Sequence, residues 1–204
     1  MLPAGCAAFE WRGAINDAPV NPVDEVLVRR MAPKRRAEFV AGRACARAAL
    51  ADLGVRAAPL KPDVSRAPSW PTGFAGSITH TDGYCAAVTA PRTLCKGLGV
   101  DAERISRVSQ TLWNSILTPG EFVNLHELEP CERQARVALT FSAKEAFFKA
   151  QHPFTGTWLE FEDVVIAVEA SGFSLFCAKT PRFTAPIRGR FVIKGDLVLT
   201  AVSL

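Results

Sequence analysis

The residues best suited to chemistry lie in two short acidic segments about forty positions apart. The first reads G-V-D-A-E and ends an apolar run, so Asp101 and Glu103 should lie on one face at a strand end, given the two-residue period of strands. The second reads F-S-A-K-E-A-F-F-K-A, in which Glu145 and Lys149 are one helical turn apart and share a face. Three carboxylates beside lysines can hold a hard divalent cation against a phosphate-bearing ligand, which points to phosphoryl chemistry.

Each segment is ambiguous when taken alone. Two acidic residues at a strand end commonly occupy a solvated turn, and a K-E-x-x-x-K helix face commonly forms plain surface ion pairs. Two further segments narrow the choice: F-V-A-G-R, which ends at Arg43, and P-S-W-P-T-G-F-A-G-S-I-T-H, which ends at His80. Glycines let the backbone approach a ligand closely, and a hydroxyl beside an imidazole can bind a small anion.

The chain resembles the 4′-phosphopantetheinyl transferases through four motifs in matching order and spacing, from about Arg35 to Leu159: F-x-x-G-R, P-x-W-P-x-G-x-x-G-S-x-T-H, G-x-D-x-E and F-S-x-K-E-x-x-x-K-A. Within that family it looks most like the branch typified by the enterobactin-synthase transferase component. The resemblance implies an α+β fold of two similar lobes related by a pseudo-twofold axis, with the active site in the cleft between them. We place the lobes at residues 1–104, for the nucleotide end of coenzyme A, and 105–204, which carry the Lys-Glu helix.

The reaction implied by the resemblance transfers the 4′-phosphopantetheine arm of coenzyme A, the co-substrate, to a serine of an acyl- or peptidyl-carrier protein. Adenosine 3′,5′-bisphosphate is the other product. Mg²⁺ would neutralise the pyrophosphate and needs few protein oxygens because it keeps several waters. Asp101, Glu103 and Glu145 match its ligands. Asp101, Glu145 and Lys149 match the catalytic residues, with Glu145 activating the serine directly or through a metal-bound water and Lys149 contacting the pyrophosphate.

The nucleotide end of coenzyme A is expected to be bound by a separate group of residues. Thr79 and His80 lie in the segment that contacts the 3′-phosphate in the family, and Arg43 and Arg66 match basic positions at the same end. Lys144 is the remaining predicted contact, near the pyrophosphate. Because it lies about 100° around the helix from its neighbour, a solvent-facing position is the equal alternative.

Two of three further positions, Trp70 and Glu121, keep two interpretations each. Trp70 can stack on adenine or pin its proline-rich loop to the core. Glu121 matches an acidic position of the family, or it pairs with the positive end of its own helix. Phe141 stands where many broad-specificity members have tryptophan, a departure that fits the enterobactin-type branch.

The composition is that of an ordinary globular protein. Of 204 residues, 49% are hydrophobic and 22% charged, and no apolar run approaches the roughly 20 residues of a membrane span. The first residues show no secretory signal, so we expect a cytoplasmic protein. We also expect a monomer. Six scattered cysteines and three histidines offer no zinc motif, and we expect the cysteines to be reduced and mostly buried.

The net charge of +4 is concentrated in one short stretch that includes Arg29, Arg30, Lys34, Arg35, Arg36, Arg43 and Arg47. Such a cluster suits a phosphorylated small molecule or an acidic protein, and without a nucleic-acid motif we expect no nucleic-acid partner. The acidic carrier should dock near residues 104–125, where apolar side chains are abundant. Packing between the lobes is the alternative explanation for those side chains.

Proline and glycine positions outline the elements. Pro33 can open a helix that ends near Leu53, residues 57–73 contain four prolines and should be irregular, and Asp82-Gly83 predicts a hairpin turn. The other predicted elements are strands 74–79, 84–90, 98–101, 164–169, 173–178, 190–194 and 197–202, and helices 109–117, 119–128 and 132–151, the last stopping before Pro153.

Two other classes of function compete with transfer. A catalytically silent coenzyme A-binding protein would be expected to have lost its metal ligands, whereas the acidic set is intact. A metal-dependent phosphohydrolase would release phosphopantetheine without any carrier and would need a dedicated water-activating residue. Carriers of siderophore and nonribosomal peptide, polyketide or fatty-acid biosynthesis are all open as acceptors.

Overall fold

A computed structural model describes residues 2–14, 20–56, 59–63, 67–180, 182–183 and 185–204. Its internal contacts divide the chain into two compact units, Pro3–Leu98 and Gly99–Leu204. Each unit combines a sheet with one long helix, which confirms the predicted α+β class. The strand that begins at Leu98 belongs to the C-terminal sheet, so the division falls before Gly99 rather than after residue 104. The pseudo-twofold relation stays a prediction.

The described residues of the N-terminal unit form a three-stranded antiparallel sheet and two α-helices. Its strands are β1 (Ala7–Arg12), β2 (Phe74–Thr81) and β3 (Tyr84–Pro91), in the order β1-β3-β2. Its helices are α1 (Glu25–Val28) and α2 (Pro33–Asp52). The predicted Asp82-Gly83 turn is confirmed, because Thr81 pairs with Tyr84 across it and Gly83 has the positive φ of 68° that such a turn needs.

The long helix α2 packs one face against this sheet. Pro33 occupies its first turn, as predicted, and its buried side meets Cys85 and Ala87 of β3 through Val40, Ala41, Cys45, Ala46 and Leu50. Trp70 packs against the same core, and a Cβ at Gly76 would lie 2.6 Å from its ring. The loop-pinning interpretation of Trp70 is therefore confirmed.

In the described part of the C-terminal unit there are a five-stranded sheet and three α-helices. Its strands are β4 (Leu98–Arg104), β5 (Val164–Glu169), β6 (Gly172–Cys177), β7 (Ile187–Lys194) and β8 (Leu197–Ser203), in the order β4-β8-β7-β6-β5. Its helices are α3 (Trp113–Ile116), α4 (Pro119–Leu125) and α5 (Pro130–Thr155). Helix α5 packs against the sheet, chiefly on β8, where the buried hydroxyls of Ser142 and Thr200 lie 2.8 Å apart.

Two helix predictions need correction. Residues 109–117 form a 3₁₀ turn followed by the single-turn α3. Helix α5 does not stop before Pro153 but continues to Thr155, with Gly156 at φ 68° terminating it. The proline is tolerated because it lies within one turn of the helix end, where the buried Gln151 side chain bonds Thr155 Oγ1 and donates to the Thr157 carbonyl at 2.9 Å.

The apolar side chains of residues 104–117 mainly complete the core of their own unit. Val108 and Ile116 are buried, and Ile105 and Trp113 pack against the same cluster. Leu112, 48% exposed, is the exception in that group. They are therefore weak evidence for the predicted carrier surface.

The cysteines are free thiols, as expected; Cys45, Cys85, Cys95 and Cys177 are buried, Cys6 is half-buried and Cys131 is exposed. Among the described residues, none of the helices has the length and apolar composition needed to cross a bilayer.

Candidate active site

The site begins with an unusually close approach between β4 and α5. A Cβ built on Gly99 would lie 1.8 Å from the Ala146 carbonyl oxygen and 2.7 Å from the Ala150 amide nitrogen. Only a residue without a side chain can occupy this position. The approach brings the end of β4 against the helix face that carries Glu145 and Lys149, so the two acidic segments of the sequence meet at one place.

Lys149 makes the direct contact between the two elements. Its Nζ lies 2.6 Å from Oδ1 of Asp101, which is buried, and 3.4 Å from the Val100 carbonyl oxygen. Burial alone would lower the pKa of Lys149, but Asp101, Glu145 and Glu103 together raise it above its ordinary value. Lys149 is therefore a fixed positive charge at neutral pH.

Two further carboxylates share this environment. Burial raises the pKa of Glu103 to about 7, and the negative charges of Asp101 and Glu145 add to the rise while Lys149 opposes it. Burial also raises the pKa of Glu145, again opposed by Lys149 and reinforced by Asp101. The structure therefore brings all four predicted residues of the acidic segments into one electrostatic cluster, whose carboxylates are poorly solvated and repel one another.

This donor set suits Mg²⁺ chemically. It consists of carboxylate oxygens, which hard cations prefer, and a cation would offset both the burial that chiefly raises the pKa values of Glu103 and Glu145 and the repulsion that adds to the rise. In the part of the chain that the structure describes, no three Asp, Glu, His or Cys side chains form a ready-made metal cluster. Metal binding at Asp101, Glu103 and Glu145 accordingly remains a proposal.

A small pocket opens beside Glu145. Its volume is about 280 Å³, and its walls are mostly apolar and aromatic. Phe148 and Trp158 meet edge to face with ring centroids 5.1 Å apart, and Trp158 donates from Nε1 to Glu160 at 2.9 Å. The lining residues are Lys144, Glu145, Phe148, Trp158, Leu159, Glu160, Phe161 and Val164.

Lys144 is placed differently from either expectation. It is 2% exposed, so the solvent-facing alternative is wrong. Its Nζ donates to Glu121 Oε2 at 2.7 Å and to the carbonyl oxygens of Ile116 and Phe161 at 2.8 and 2.9 Å. An ammonium has three donors, and all are used, so the predicted contact with coenzyme A finds no support in this structure.

Glu121, the partner of Lys144, is a residue whose role the sequence left open between two interpretations. Its side chain accepts from the Thr118 amide in a capping box, as the helix-terminus interpretation predicts. It also accepts from Lys144 Nζ and, through Oε1, from the Ile166 amide at 2.7 Å. The carboxylate is therefore a buried connection between α4, α5 and β5.

In the N-terminal unit, His80 lies at the end of β2 beside Arg35 of α2. The distance from Arg35 Nη1 to His80 Nε2 is 3.5 Å. Thr79, the preceding residue, is buried. The predicted Arg66 lies outside the described residues.

Arg43 is a buried guanidinium in the same unit. It is 3% exposed, and its guanidinium lies 4.8 Å from the centre of the Phe39 ring. Burial is the main cause that lowers the pKa of Arg43 to about 10, and the nearby charges of Arg47 and Arg35 lower it further, although Asp24 opposes them. Crowded positive charge of this kind favours an anion as a partner.

Arg35 is the residue that the sequence analysis undervalued. A partial signal existed, because Arg43 and Arg47 are four residues apart on α2 and share a helix face, and Arg35 lies about two turns before Arg43. Arg35 and the neighbouring Arg36 are both exposed.

Comparison with known proteins decides the family. Residues 23–90 match the model of the 4′-phosphopantetheinyl transferase N-terminal domain, and residues 97–202 match that of the 4′-phosphopantetheinyl transferase superfamily. The chain belongs to the 4′-phosphopantetheinyl transferases. This confirms both the suspected family and the enzyme class.

Individual relatives found by sequence comparison support the same family assignment. The 4′-phosphopantetheinyl transferase Npt of Nocardia iowensis is 33% identical over 220 aligned positions, covering 100% of this chain and 97% of that protein. Enterobactin synthase component D of Salmonella typhi is 37% identical over 184 positions, covering 86% and 75%. Among solved structures, the holo-[acyl-carrier-protein] synthase of Thermotoga maritima is 25% identical, covers 53% of this chain and 62% of its own, and has a TM-score of 0.45.

Phe141, the residue that marked the enterobactin-type branch in the sequence, has a packing role in the transferase. Its ring lies 5.4 Å from that of Phe161, centroid to centroid, and it packs on the core cluster that contains Val137 and Val198. Phe161 also lines the pocket beside Glu145, so Phe141 packs against a residue of that pocket's wall.

Proposed function

We propose that this transferase moves the 4′-phosphopantetheine arm of coenzyme A to a carrier-protein serine in a Mg²⁺-dependent reaction that releases adenosine 3′,5′-bisphosphate. The observation that carries the proposal is the contact of Lys149 with Asp101 beside Glu145 and Glu103. A fixed positive charge, together with three carboxylates that could hold a divalent cation, suits a reaction in which negative charge accumulates on phosphate oxygens.

The proposed step forms a bond from the serine oxygen to the phosphorus of the arm and breaks the bond to the departing phosphate of the pyrophosphate. Glu145 accepts the hydroxyl proton, and its raised pKa makes it a stronger base than an ordinary carboxylate. Lys149 stays protonated and stabilises the charge that develops as the phosphate leaves. When bound by Asp101, Glu103 and Glu145, Mg²⁺ would supply charge neutralisation on the pyrophosphate.

The pocket beside Glu145 suits the thiol arm. Pantetheine is a slender chain of amides and methylenes, and the pocket offers apolar walls from Phe148, Trp158 and Leu159 directly next to the proposed base. Seating the arm there would place its phosphate end at the carboxylate cluster.

We propose that His80, Thr79, Arg43, Arg35 and Arg66 bind the 3′-phosphate of the nucleotide. Replacing His80 or Arg35 by Ala should weaken binding of coenzyme A by about tenfold, because one charge-assisted hydrogen bond is lost. Binding of dephospho-coenzyme A, which lacks that phosphate, should change little. Isothermal titration with both ligands measures the difference.

The matched control for this prediction is Arg30→Ala, which removes an exposed arginine of the same unit. It should leave both affinities unchanged. Equal losses for the two ligands in the His80 variant would contradict the assignment and give His80 a structural role.

Electrostatic attraction should govern the encounter with the carrier. Carriers of this kind present an acidic helix beside the modified serine, and this chain carries a net charge of +4. We therefore expect the KM for the carrier to rise with salt, because a Debye length of about 8 Å at physiological ionic strength already screens such steering.

Charge reversal tests where the carrier docks. Arg107→Glu, at an exposed position, or Arg104→Glu, at a half-buried one, should raise the carrier KM without changing the KM for coenzyme A. Arg190→Glu on β7, which is exposed like Arg107, should change neither. Steady-state kinetics with each substrate varied in turn measures both. A carrier KM that is insensitive to salt and to these reversals would place the docking surface elsewhere.

A mass measurement tests the function as a whole. The protein is incubated with coenzyme A, Mg²⁺ and either a peptidyl carrier, as the enterobactin-type relatives suggest, or an acyl carrier of fatty-acid or polyketide synthesis. A gain of one phosphopantetheine on a carrier supports transfer and identifies the carrier class. Release of phosphopantetheine without carrier modification would support the phosphohydrolase, and no change with any carrier would contradict the proposal.

A further inference from the structure

A fully buried ion pair next to the proposed base has no part in the reaction described so far. It consists of Lys144 on α5 and Glu121 on α4, whose charged atoms lie 2.7 Å apart. The Glu121 carboxylate accepts from the Thr118 amide, the Thr118 hydroxyl, Lys144 Nζ and the Ile166 amide. With the three bonds that Lys144 donates, both charged groups are satisfied inside the unit.

The bonds of this pair are directed at chain segments that form cavity walls. Lys144 Nζ holds the carbonyl oxygen of Phe161, at the start of the turn that leads into β5, and Glu121 holds the amide of Ile166, inside β5 itself. Phe161 lines the pocket beside Glu145 and also a second cavity of about 710 Å³, whose other walls include Leu117 and Phe122. The pair therefore fixes the wall that separates two cavities.

A buried pair of this kind is a costly way to gain stability alone. The free-energy cost of removing two charges from water commonly cancels the gain from their attraction. Proteins in which such a pair is replaced by apolar side chains of similar volume are often no less stable. What such a pair does provide is a directional constraint, because every donor and acceptor must keep its geometry. Because Lys144 of this pair is bonded to the Phe161 carbonyl, the pocket wall at Phe161 is the part of the structure that the pair constrains.

We propose that the Lys144–Glu121 pair positions the Phe161 wall of the pocket beside Glu145 and thereby sets how large a group on the thiol end of coenzyme A the enzyme accepts. Glu121 is a positioning residue, because it acts through Lys144 and touches no reacting atom. Lys144 positions Phe161 and also lines the pocket with its own side chain, so the Glu121 variant isolates the positioning effect. The inference rests on the proposed function, since it takes the pocket to hold the thiol arm. It replaces the expectation from the sequence that Lys144 contacts the pyrophosphate.

The experiment compares coenzyme A with acetyl-coenzyme A, which differ only at the thiol. In Lys144→Met and in Glu121→Gln, the ratio of kcat/KM for acetyl-coenzyme A to that for coenzyme A should rise by about tenfold, the size expected when a small steric restriction in a pocket is lost. The double variant should show no larger change than either single one, since both remove the same constraint. Inhibition by adenosine 3′,5′-bisphosphate should stay constant.

The matched control is Lys179→Met. Lys179 makes an exposed ion pair at 2.7 Å with Asp163, which lies in the same turn as Phe161, so this variant removes a charge pair from the turn without touching the wall. Its substrate ratio should equal that of the wild type. Melting temperatures verify that each variant is folded. Should Lys144→Met or Glu121→Gln not fold, Thr118→Ala carries the test, because it removes one hydrogen bond to Glu121 and keeps both charges of the pair.

Three results would overturn the inference. If kcat/KM fell by the same factor for coenzyme A and for acetyl-coenzyme A, the pair would have no effect on how the thiol end is accepted. Weaker inhibition by the bisphosphate in Lys144→Met but not in Glu121→Gln would show that Lys144 contacts the nucleotide phosphates. If the wild type modifies no carrier, the proposed function fails, but the role of the wall can still be tested by calorimetric binding of coenzyme A and acetyl-coenzyme A. An affinity ratio of these two ligands that is the same in the variants as in the wild type would contradict the inference.

Discussion

Replacing Glu145 by Gln is expected to lower the transfer rate on the order of 100-fold or more, the usual loss when a group that stabilises the transition state is removed. Gln keeps the shape but can neither accept the serine proton nor hold a cation as a carboxylate does. The fold should not suffer. Burial raises the pKa of Glu145, so its ionised form is unfavourable in the folded state, and a neutral side chain at pH 7 or above removes that cost.

The control is Glu132→Gln in the first turn of the same helix, where the side chain is exposed. It should keep full activity. Asp101→Asn should lose about as much transfer as the Glu145 variant, since Lys149 would then face a neutral amide in place of the carboxylate 2.6 Å away, and a cation would lose one negatively charged ligand. Steady-state rates with saturating coenzyme A and carrier measure each variant, and melting curves verify folding. A rate within about threefold of the wild type for Glu145→Gln would contradict the assignment.

The acidic cluster was predictable because its spacing obeys the periods of the backbone. Asp101 and Glu103 share a face of a strand and Glu145 and Lys149 share a face of a helix, whatever the rest of the chain does. That the strand face and the helix face meet in the folded protein could not be inferred from spacing and was predicted from the family resemblance. The structure supplies its cause at Gly99, where strand and helix touch through their backbones.

Long-range pairings were not predictable from local pattern. The sequence around Lys144 is compatible with a solvent-exposed lysine, because its partner Glu121 is twenty-three positions away on another helix, and its other two partners are backbone carbonyls. Strand β1 was missed for a related reason. The segment AAFEWR is short and carries two charges, and it becomes a strand only by pairing with β3.

Gly99→Ala is expected to damage the transferase more than other single-methyl additions. The new Cβ would lie 1.8 Å from the Ala146 carbonyl oxygen, so β4 must retreat from α5 by more than about 1 Å, because real Cβ contacts under 3.0 Å do not occur. Overpacking of this kind costs on the order of 3 kcal/mol in the free energy of unfolding. Displacing Asp101 from Lys149 by a similar distance should lower transfer by about 100-fold.

Gly120→Ala separates this effect from the general cost of replacing a glycine. Gly120 lies in α4, where an added Cβ would meet no neighbouring atom within 4 Å, so alanine should stabilise the helix slightly and leave activity unchanged. Rates measured well below the melting temperature of each variant distinguish misplacement of Asp101 from simple unfolding. A Gly99→Ala protein that transfers at the wild-type rate would show that β4 can shift without moving the carboxylates. The close approach would then serve packing alone, and the geometry of the acidic cluster would have to be maintained by the Lys149–Asp101 contact itself.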